Sequence, residues 1–209
     1  MESLHTHRGF TLIEMMVVLS VIASVTAIAL TSQSAFNKTL ILANTAYDIA
    51  LTLRSAESFG MSSRATGVIA NAGYGIHFQI GTPDSFLMFA DIFPLVGSSC
   101  TRPDCKPGDR IYTSDDTLVQ TYTLGNGITV SDFCAYSDSW HCASTGDLNS
   151  LDIVFMRPNP DAFIHANISS YTQYTAACIT ISTNQGASRF VSVAASGQIL
   201  ADVPACPSV

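Results

Sequence analysis

The sequence predicts an α+β protein in which a long N-terminal α-helix, membrane-spanning in its first half, packs on a mainly antiparallel β-sheet domain. Three observations support this prediction. Residues 10–30 form an apolar run with a single charge, helical periodicity continues beyond it to Gly60, and short β-prone runs between turn residues follow Gly67. The 209 residues are 47% hydrophobic, which excludes a disordered chain. The length fits one globular domain with an appendage.

The apolar run from Phe10 to Leu30 has the length of a membrane-spanning helix. At about 1.5 Å rise per residue it would reach roughly 31 Å, close to the hydrocarbon thickness of a bilayer. Arg8 precedes the run and favours a cytoplasmic N-terminus. A cleaved secretory signal ending near Ala29, a buried helix of a soluble protein and a plain membrane anchor are the alternatives. Glu14 disfavours all three, because an unpaired carboxylate there costs about 2.5 to 3.5 kcal/mol on insertion.

An amphipathic continuation of this helix is expected over residues 31–65, so that one helix would run from about Thr11 to Ser63. Residues 31–59 contain neither Gly nor Pro. Apolar residues recur there at three- and four-residue steps, which is typical of one face of a helix. The predicted face consists of Phe36, Leu40, Ala43, Tyr47, Ala50 and Leu53. We expect it to lie on the globular domain.

A β-rich domain is expected over residues 66–209, because β-prone runs alternate there with turn residues. The candidate strands are Gly67–Ala70, Tyr74–Ile80, Phe86–Phe93, Leu118–Leu124, Ile128–Phe133, Leu151–Met156, Ala162–Ile168, Ala177–Ser182, Arg189–Ala194 and Gln198–Leu200. The turns between them include Asn71-Ala72-Gly73, Gly125-Asn126-Gly127, Pro158-Asn159-Pro160 and Ser196-Gly197. A mostly antiparallel sheet is the simplest arrangement of such short strands.

The residues at the start of the apolar run carry a strong resemblance to a known family. The sequence Arg8-Gly9-Phe10-Thr11-Leu12-Ile13-Glu14, followed directly by the apolar helix, resembles the N-terminal signature of type IV prepilins and of type II secretion pseudopilins. The resemblance implies that residues 1–9 are a leader peptide, that a prepilin peptidase cleaves between Gly9 and Phe10, and that the new amino group of Phe10 is methylated. It also implies that Glu14 pairs with that amino group on a neighbouring subunit.

The physical chemistry of these residues agrees with the roles that the resemblance implies. Gly9 has no side chain, so a protease can approach its carbonyl closely. The free amine of Phe10 would be positive near neutral pH, and a charge in apolar surroundings is tolerated only when it is matched. Glu14 supplies the matching charge. Cleavage after Gly9 leaves residues 10–30 intact as a transmembrane helix.

A looser resemblance covers the C-terminal half. The runs LDIVFMRPNPDAFIHANI, AACITIS and SRFVSVAASGQI resemble minor pilins and pseudopilins of the GspH/FimT group. This implies a type IV pilin fold and a minor pilin that is assembled into a filament for fibre initiation, twitching, adhesion or DNA uptake. The alternative is a GspH-like minor pseudopilin of a type II secretion system. The implied partners are the prepilin peptidase, other pilin subunits, inner-membrane lipid and an assembly platform.

The resemblance also implies a location. The chain would be a single-pass inner-membrane protein with a cytoplasmic N-terminus and a periplasmic domain before it enters a pilus or pseudopilus.

Six cysteines follow the membrane segment, and an even number of cysteines on the side of the oxidising periplasm indicates disulfides. Six cysteines allow 15 pairings. Local spacing favours Cys100 with Cys105, Cys134 with Cys142, and Cys178 with Cys206.

Cofactors and catalysis are not expected. The cysteine spacing contains no C-x-x-C pair and does not fit a zinc site, and the acidic loops lack the spacing of a calcium-binding loop. We therefore expect no metal site. No Ser-His-Asp arrangement stands out, so we do not expect an enzyme.

Binding to nucleic acid is not expected either. The formal net charge of −7 argues against it, and no Lys or Arg follows Arg189.

Overall fold

The computed structural model describes residues 9–62, 72–92, 108–167 and 174–207, apart from the side chains of residues 31–36. The chain divides into two compact units, Met1–Leu40 and Ile41–Val209. The elements are α1 (Leu12–Met61), β1 (Gly73–Gln79), β2 (Ser85–Asp91), β3 (Thr117–Thr123), β4 (Ile128–Tyr136), β5 (Trp140–Cys142), β6 (Ser150–Phe155), β7 (Ala162–Ala166), β8 (Ala176–Thr183), β9 (Ser188–Ala194) and β10 (Ile199–Val203).

The strands form two five-stranded sheets, and within each sheet all neighbouring strands are antiparallel. The first sheet has the order β3-β2-β1-β6-β7, and the second has the order β10-β9-β8-β4-β5. One apolar cluster joins one face of each sheet with the second half of α1. The predicted α+β architecture, an apolar N-terminal helix followed by a mainly antiparallel β domain, is therefore confirmed.

The helical face that packs on the domain differs from the predicted one. The buried positions are Leu42, Ala46, Ile49, Ala50, Thr52, Leu53, Ala56 and Gly60. Leu40 and Tyr47 were expected in this face but are 46% and 57% exposed, so that part of the prediction is wrong. The side chain of Phe36 lies outside the described residues. Alanines occupy central positions of the buried face, because small side chains let the helix backbone approach the sheets closely.

Three strands of the second sheet differ from the sequence-based prediction. The short strand β5 was not expected, β4 extends to Tyr136 instead of ending at Phe133, and β10 extends to Val203 instead of ending at Leu200. Strand β5 has three residues, too few to produce an alternating pattern, and it pairs with β4 next to Cys134. The predicted strand Gly67–Ala70 lies outside the described residues.

The connection between β3 and β4 is a tight turn, as its residue types predict. Asn126 and Gly127 have φ angles of 59° and 70°, and the N–H of Ile128 donates to the carbonyl oxygen of Gly125 at 3.1 Å. Glycine and asparagine adopt this left-handed conformation at the lowest steric cost. The turn carries the chain from the first sheet to the second.

Two disulfides lie in the described part of the second sheet. Cys134 and Cys142 join β4 to β5, and Cys178 joins β8 to Cys206 in the C-terminal tail. These pairs are two of the three that local spacing favours. The third candidate pair, Cys100 with Cys105, lies outside the described residues.

Removing the Cys178–Cys206 bridge should destabilise the domain more than removing the Cys134–Cys142 bridge. The two bridges close segments with sequence separations of 28 and 8. Loop-closure entropy then gives about 3.5 kcal/mol for the long loop and about 2.5 kcal/mol for the short one. Denaturant unfolding of the two double Cys→Ala variants measures the difference. Equal losses would show that loop entropy is not the main contribution of these bridges.

Candidate processing and assembly site

The peptide bond between Gly9 and Phe10 lies in an exposed stretch without regular secondary structure just before α1. Both residues are exposed, and the Phe10 side chain is 78% exposed. A Cβ atom built on Gly9 would have no heavy atom of another residue within 4 Å, apart from its chain neighbours. An enzyme could therefore approach this bond without displacing any part of the chain that the structure describes. Residues 1–8 lie outside the description.

Thr11 caps the N-terminus of α1. Its Oγ1 atom accepts a hydrogen bond from the N–H of Glu14 at 3.3 Å, and its carbonyl oxygen accepts one from the N–H of Met15 at 3.2 Å. The cap role of Thr11 was not predicted, although the spacing Thr11-x-x-Glu14 is the signature of a capping box. Glu14 lies in the first helical turn, where the helix dipole favours a negative charge.

The first part of α1 is apolar all round. Residues Leu12–Leu30 have a mean hydropathy of 2.3, and none of this segment is buried within the chain. Its length and composition suffice to cross a membrane. The hydroxyl groups of Ser24 and Thr26 donate to the carbonyl oxygens of Ser20 and Ile22 at 2.9 and 2.8 Å. Polar hydroxyls are thereby satisfied inside the helix, as an apolar environment requires.

The second half of α1 leaves an apolar ridge exposed on the domain. Tyr47 and Leu51, one helical turn apart, are 57% and 66% exposed. Both side chains line a groove of about 440 Å³ between α1 and the start of β10, together with Ala50, Ile199 and Ala201 and the charged residues Asp48 and Arg54. The groove is therefore a mixed apolar and charged surface.

The side chains that come closest to a metal site cannot act as one. Among the described residues, ligand atoms of Asp132, Cys134 and Cys142 lie within 4.8 Å of one another. The two sulfur atoms are bonded to each other, so neither is a thiolate. The carboxylate of Asp132 accepts hydrogen bonds from the N–H and hydroxyl groups of Ser144 at 3.0 and 2.6 Å. This cluster therefore fixes the turn after β5.

Comparison with known proteins adds one finding. Residues 4–30 match the family model described as the prokaryotic N-terminal methylation motif. No curated protein and no solved structure matches the chain. The matched segment contains Gly9, Phe10 and Glu14 together with the apolar start of α1. The match points to a structural subunit rather than an enzyme, and with the apolar helix it supports a membrane-anchored protein of the type IV prepilin-like family.

Proposed function

We propose that this chain is a minor type IV pilin of the GspH/FimT type that is assembled into a pilus through its N-terminal helix. The observation that carries the proposal is an accessible Gly9–Phe10 bond placed directly before an apolar helix with no intramolecular cover. Cleavage at this bond would leave a subunit whose first residue is already apolar. Such a helix is stable in lipid or among similar helices, but not in water.

Glu14 and the new amino group of Phe10 form the contact between subunits in this proposal. Each charge alone is costly in an apolar filament core, and the two together neutralise one another. Glu14 lies in the first turn of α1, close in sequence to Phe10, so pairing between neighbours would fix their axial offset. Methylation of the amine would keep its charge.

The proposed topology has a cytoplasmic leader (residues 1–9), a transmembrane helix (10–30), an amphipathic continuation (31–65) and a periplasmic domain (66–209). Arg8 on the leader side supports this orientation. Two disulfides in the domain are compatible with the oxidising periplasm. The exposed ridge of Tyr47 and Leu51 would be covered by neighbouring subunits in the fibre.

Initiation, twitching or adhesion suits the domain better than DNA uptake. Arg189 is the last basic residue of the chain, and its Nε atom pairs with Asp202 at 2.7 Å. A phosphate backbone would therefore find no free positive charge in the C-terminal tail. A minor pseudopilin of a type II secretion system would use the same N-terminal contacts and remains the alternative.

The N-terminus of the mature chain tests the proposal. Mass spectrometry of the protein purified from fibres should show a chain that begins at Phe10 and carries one extra methyl group. Gly9→Val should accumulate in the membrane with residues 1–9 attached, because a branched side chain obstructs the approach to the carbonyl. A wild-type chain that begins at Met1, or after Ala29, would refute the proposal.

A further inference from the structure

Strand β3 is an open edge of the first sheet. It stands at the end of the order β3-β2-β1-β6-β7 and pairs only with β2 among the described strands. On its outer side, an edge strand presents N–H and C=O groups that have no partner within the sheet. The run from Leu118 to Thr121 is exposed without interruption. Strand β3 therefore offers backbone hydrogen-bonding groups to a neighbouring chain.

The other three edge strands of the two described sheets are protected in ways that β3 lacks. Strand β5 has only three residues. In β10, Asp202 has a φ angle of 54° and pairs with Arg189 of β9 at 2.7 Å, and the register is irregular there. Strand β7 forms a bridge with Tyr174 on the side away from β6. Short length, charge, irregularity and a covering segment are means by which proteins keep sheet edges from pairing with other chains.

The side chains of β3 favour pairing with a further strand. The strand reads TLVQTYT and contains no charge, no proline and no glycine. Threonine, valine and tyrosine are enriched in strands. Leu118 and Val119 are 52% and 39% exposed, and an added strand would cover them. One shift of register, at Val119, interrupts the pairing of β3 with β2, and the stretch from Gln120 to Thr123 pairs regularly.

Exposed carboxyl groups flank both ends of β3. Asp115 lies two residues before the strand begins. Asp84 lies beside the other end, where its carbonyl oxygen accepts a hydrogen bond from the N–H of Leu124 at 2.7 Å. Both carboxyl groups are exposed, and neither forms an ion pair with a described residue. Negative charge at each end favours a partner with positive charge at both ends.

A groove beside the Thr123 end of β3 adds a third exposed carboxyl group, that of Asp48. The groove has a volume of about 430 Å³ and lies between α1 and the end of β3. Tyr122 lines it and stacks on Phe86, with ring centroids 5.2 Å apart. Alternate side chains of a strand point to the same face of a sheet. In a strand added beside β3, those that share the face of Tyr122 would therefore point toward this groove.

Charge argues against a second copy of this chain as the partner. In an antiparallel pair of two β3 strands, Asp115 of each copy would lie near Asp84 of the other, so like charges would meet at both ends. A parallel pair would bring each of these residues beside its own copy. The formal net charge of −7 adds repulsion between whole chains. The partner is therefore a different chain with basic residues.

We propose that β3 binds an extended segment of another protein by strand addition, and that this segment consists of β-prone residues with lysine or arginine at both ends. Backbone hydrogen bonds would supply affinity, and contacts of alternate side chains with Leu118, Val119 and the groove would supply selectivity. The segment would be about as long as β3, which has seven residues. This inference concerns the globular domain alone and does not depend on the proposed pilin function.

Binding of model peptides to the full-length protein in detergent tests the proposal. The first peptide alternates threonine and valine over seven positions, carries a lysine at each end and has blocked termini. We expect it to bind at concentrations up to about 1 mM and to protect the amides of β3 from hydrogen exchange. A second peptide has glutamate in place of both lysines and should bind at least about fivefold more weakly. A third has proline in place of each valine, so it cannot add as a strand and should not bind.

A variant of the chain tests the contribution of charge from the protein side. Asp84→Asn combined with Asp115→Asn removes both flanking charges at exposed sites and should weaken binding of the lysine peptide about fivefold. Asp138→Asn is the matched control, because Asp138 is an exposed acid in the turn between β4 and β5. It should bind the lysine peptide as the wild-type protein does.

Four results would overturn the proposal. The first is a lysine peptide that leaves the exchange of the β3 amides unchanged. The second is equal binding of the proline and lysine peptides, which would indicate charge attraction without strand pairing. The third is an unchanged affinity in the double variant. The fourth is protection of the β3 amides that rises with protein concentration in the absence of peptide, which would identify a second copy of the chain as the partner.

Discussion

Glu14→Ala is expected to insert into the membrane and be processed normally, but to be almost absent from fibres. Alanine makes residues 10–30 more apolar, so insertion should not suffer. In the fibre the amine of Phe10 would lose its partner in an apolar environment. Breaking a buried ion pair by removing one member costs about 3 to 5 kcal/mol, which corresponds to a more than hundredfold loss of incorporation. Immunoblots of sheared fibres and of membranes, compared with wild type, measure this ratio.

The role of Glu14 at the helix N-terminus needs its own control. Glu14 lies in the capping sequence that begins at Thr11, so a weaker cap could in principle explain a defect. Thr11→Ala removes the cap hydrogen bond, at a cost of about 1 kcal/mol, and keeps the charge of Glu14. We expect Thr11→Ala to enter fibres at near wild-type levels and Glu14→Gln to fail like Glu14→Ala. Wild-type incorporation of Glu14→Ala would remove the charge-pairing role.

The sequence predicted those helices and strands that are determined by the pattern of neighbouring residues. Apolar periodicity indicates a helix, and the structure places α1 at Leu12–Met61, close to the expected ends. The strands β1 and β6 are short β-prone runs between turn residues, and their predicted bounds differ from the observed ones by one residue at each end. The buried face of α1 was less predictable, because Ala46 and Tyr47 are adjacent apolar residues and the periodicity of the sequence is compatible with either one facing the sheets. Only the shape of the sheet decides that Ala46 faces inward.

For functional residues too, those that are contiguous in the sequence could be predicted, whereas those that only the fold brings together could not. Gly9, Phe10 and Glu14 form a contiguous motif, so the sequence alone could propose their roles. The buried carboxyl groups of Asp91 and Asp152 are far apart in sequence, and only the pairing of β1 with β2 and β6 brings them to the same face of the first sheet. Both residues lie in candidate strands of the sequence, Phe86–Phe93 and Leu151–Met156, but the sequence does not show that these acids are buried. Burial of several acids in one patch is a tertiary property.

Gly60→Ala is expected to destabilise the domain strongly, although alanine is the better helix former. Gly60 is buried near the end of α1, and a Cβ atom there would collide with the backbone carbonyl oxygen of Phe155. Phe155 is fully buried in β6 and paired with Tyr74 of β1, so its backbone cannot shift without disturbing the sheet. The methyl group would gain at most about 1 kcal/mol of helix propensity.

Overpacking against a backbone that cannot move outweighs this gain, and we expect a net loss of about 2 to 3 kcal/mol. For a domain of this size the melting temperature should fall by about 5 to 10 °C. Gly81→Ala is the matched control, since a Cβ atom there would meet no other atom within 4 Å. Thermal unfolding of both variants separates the two cases. If Gly60→Ala were as stable as wild type, α1 would have to lie farther from β6 than the structure places it, and the packing of the helix on the first sheet would have to be revised.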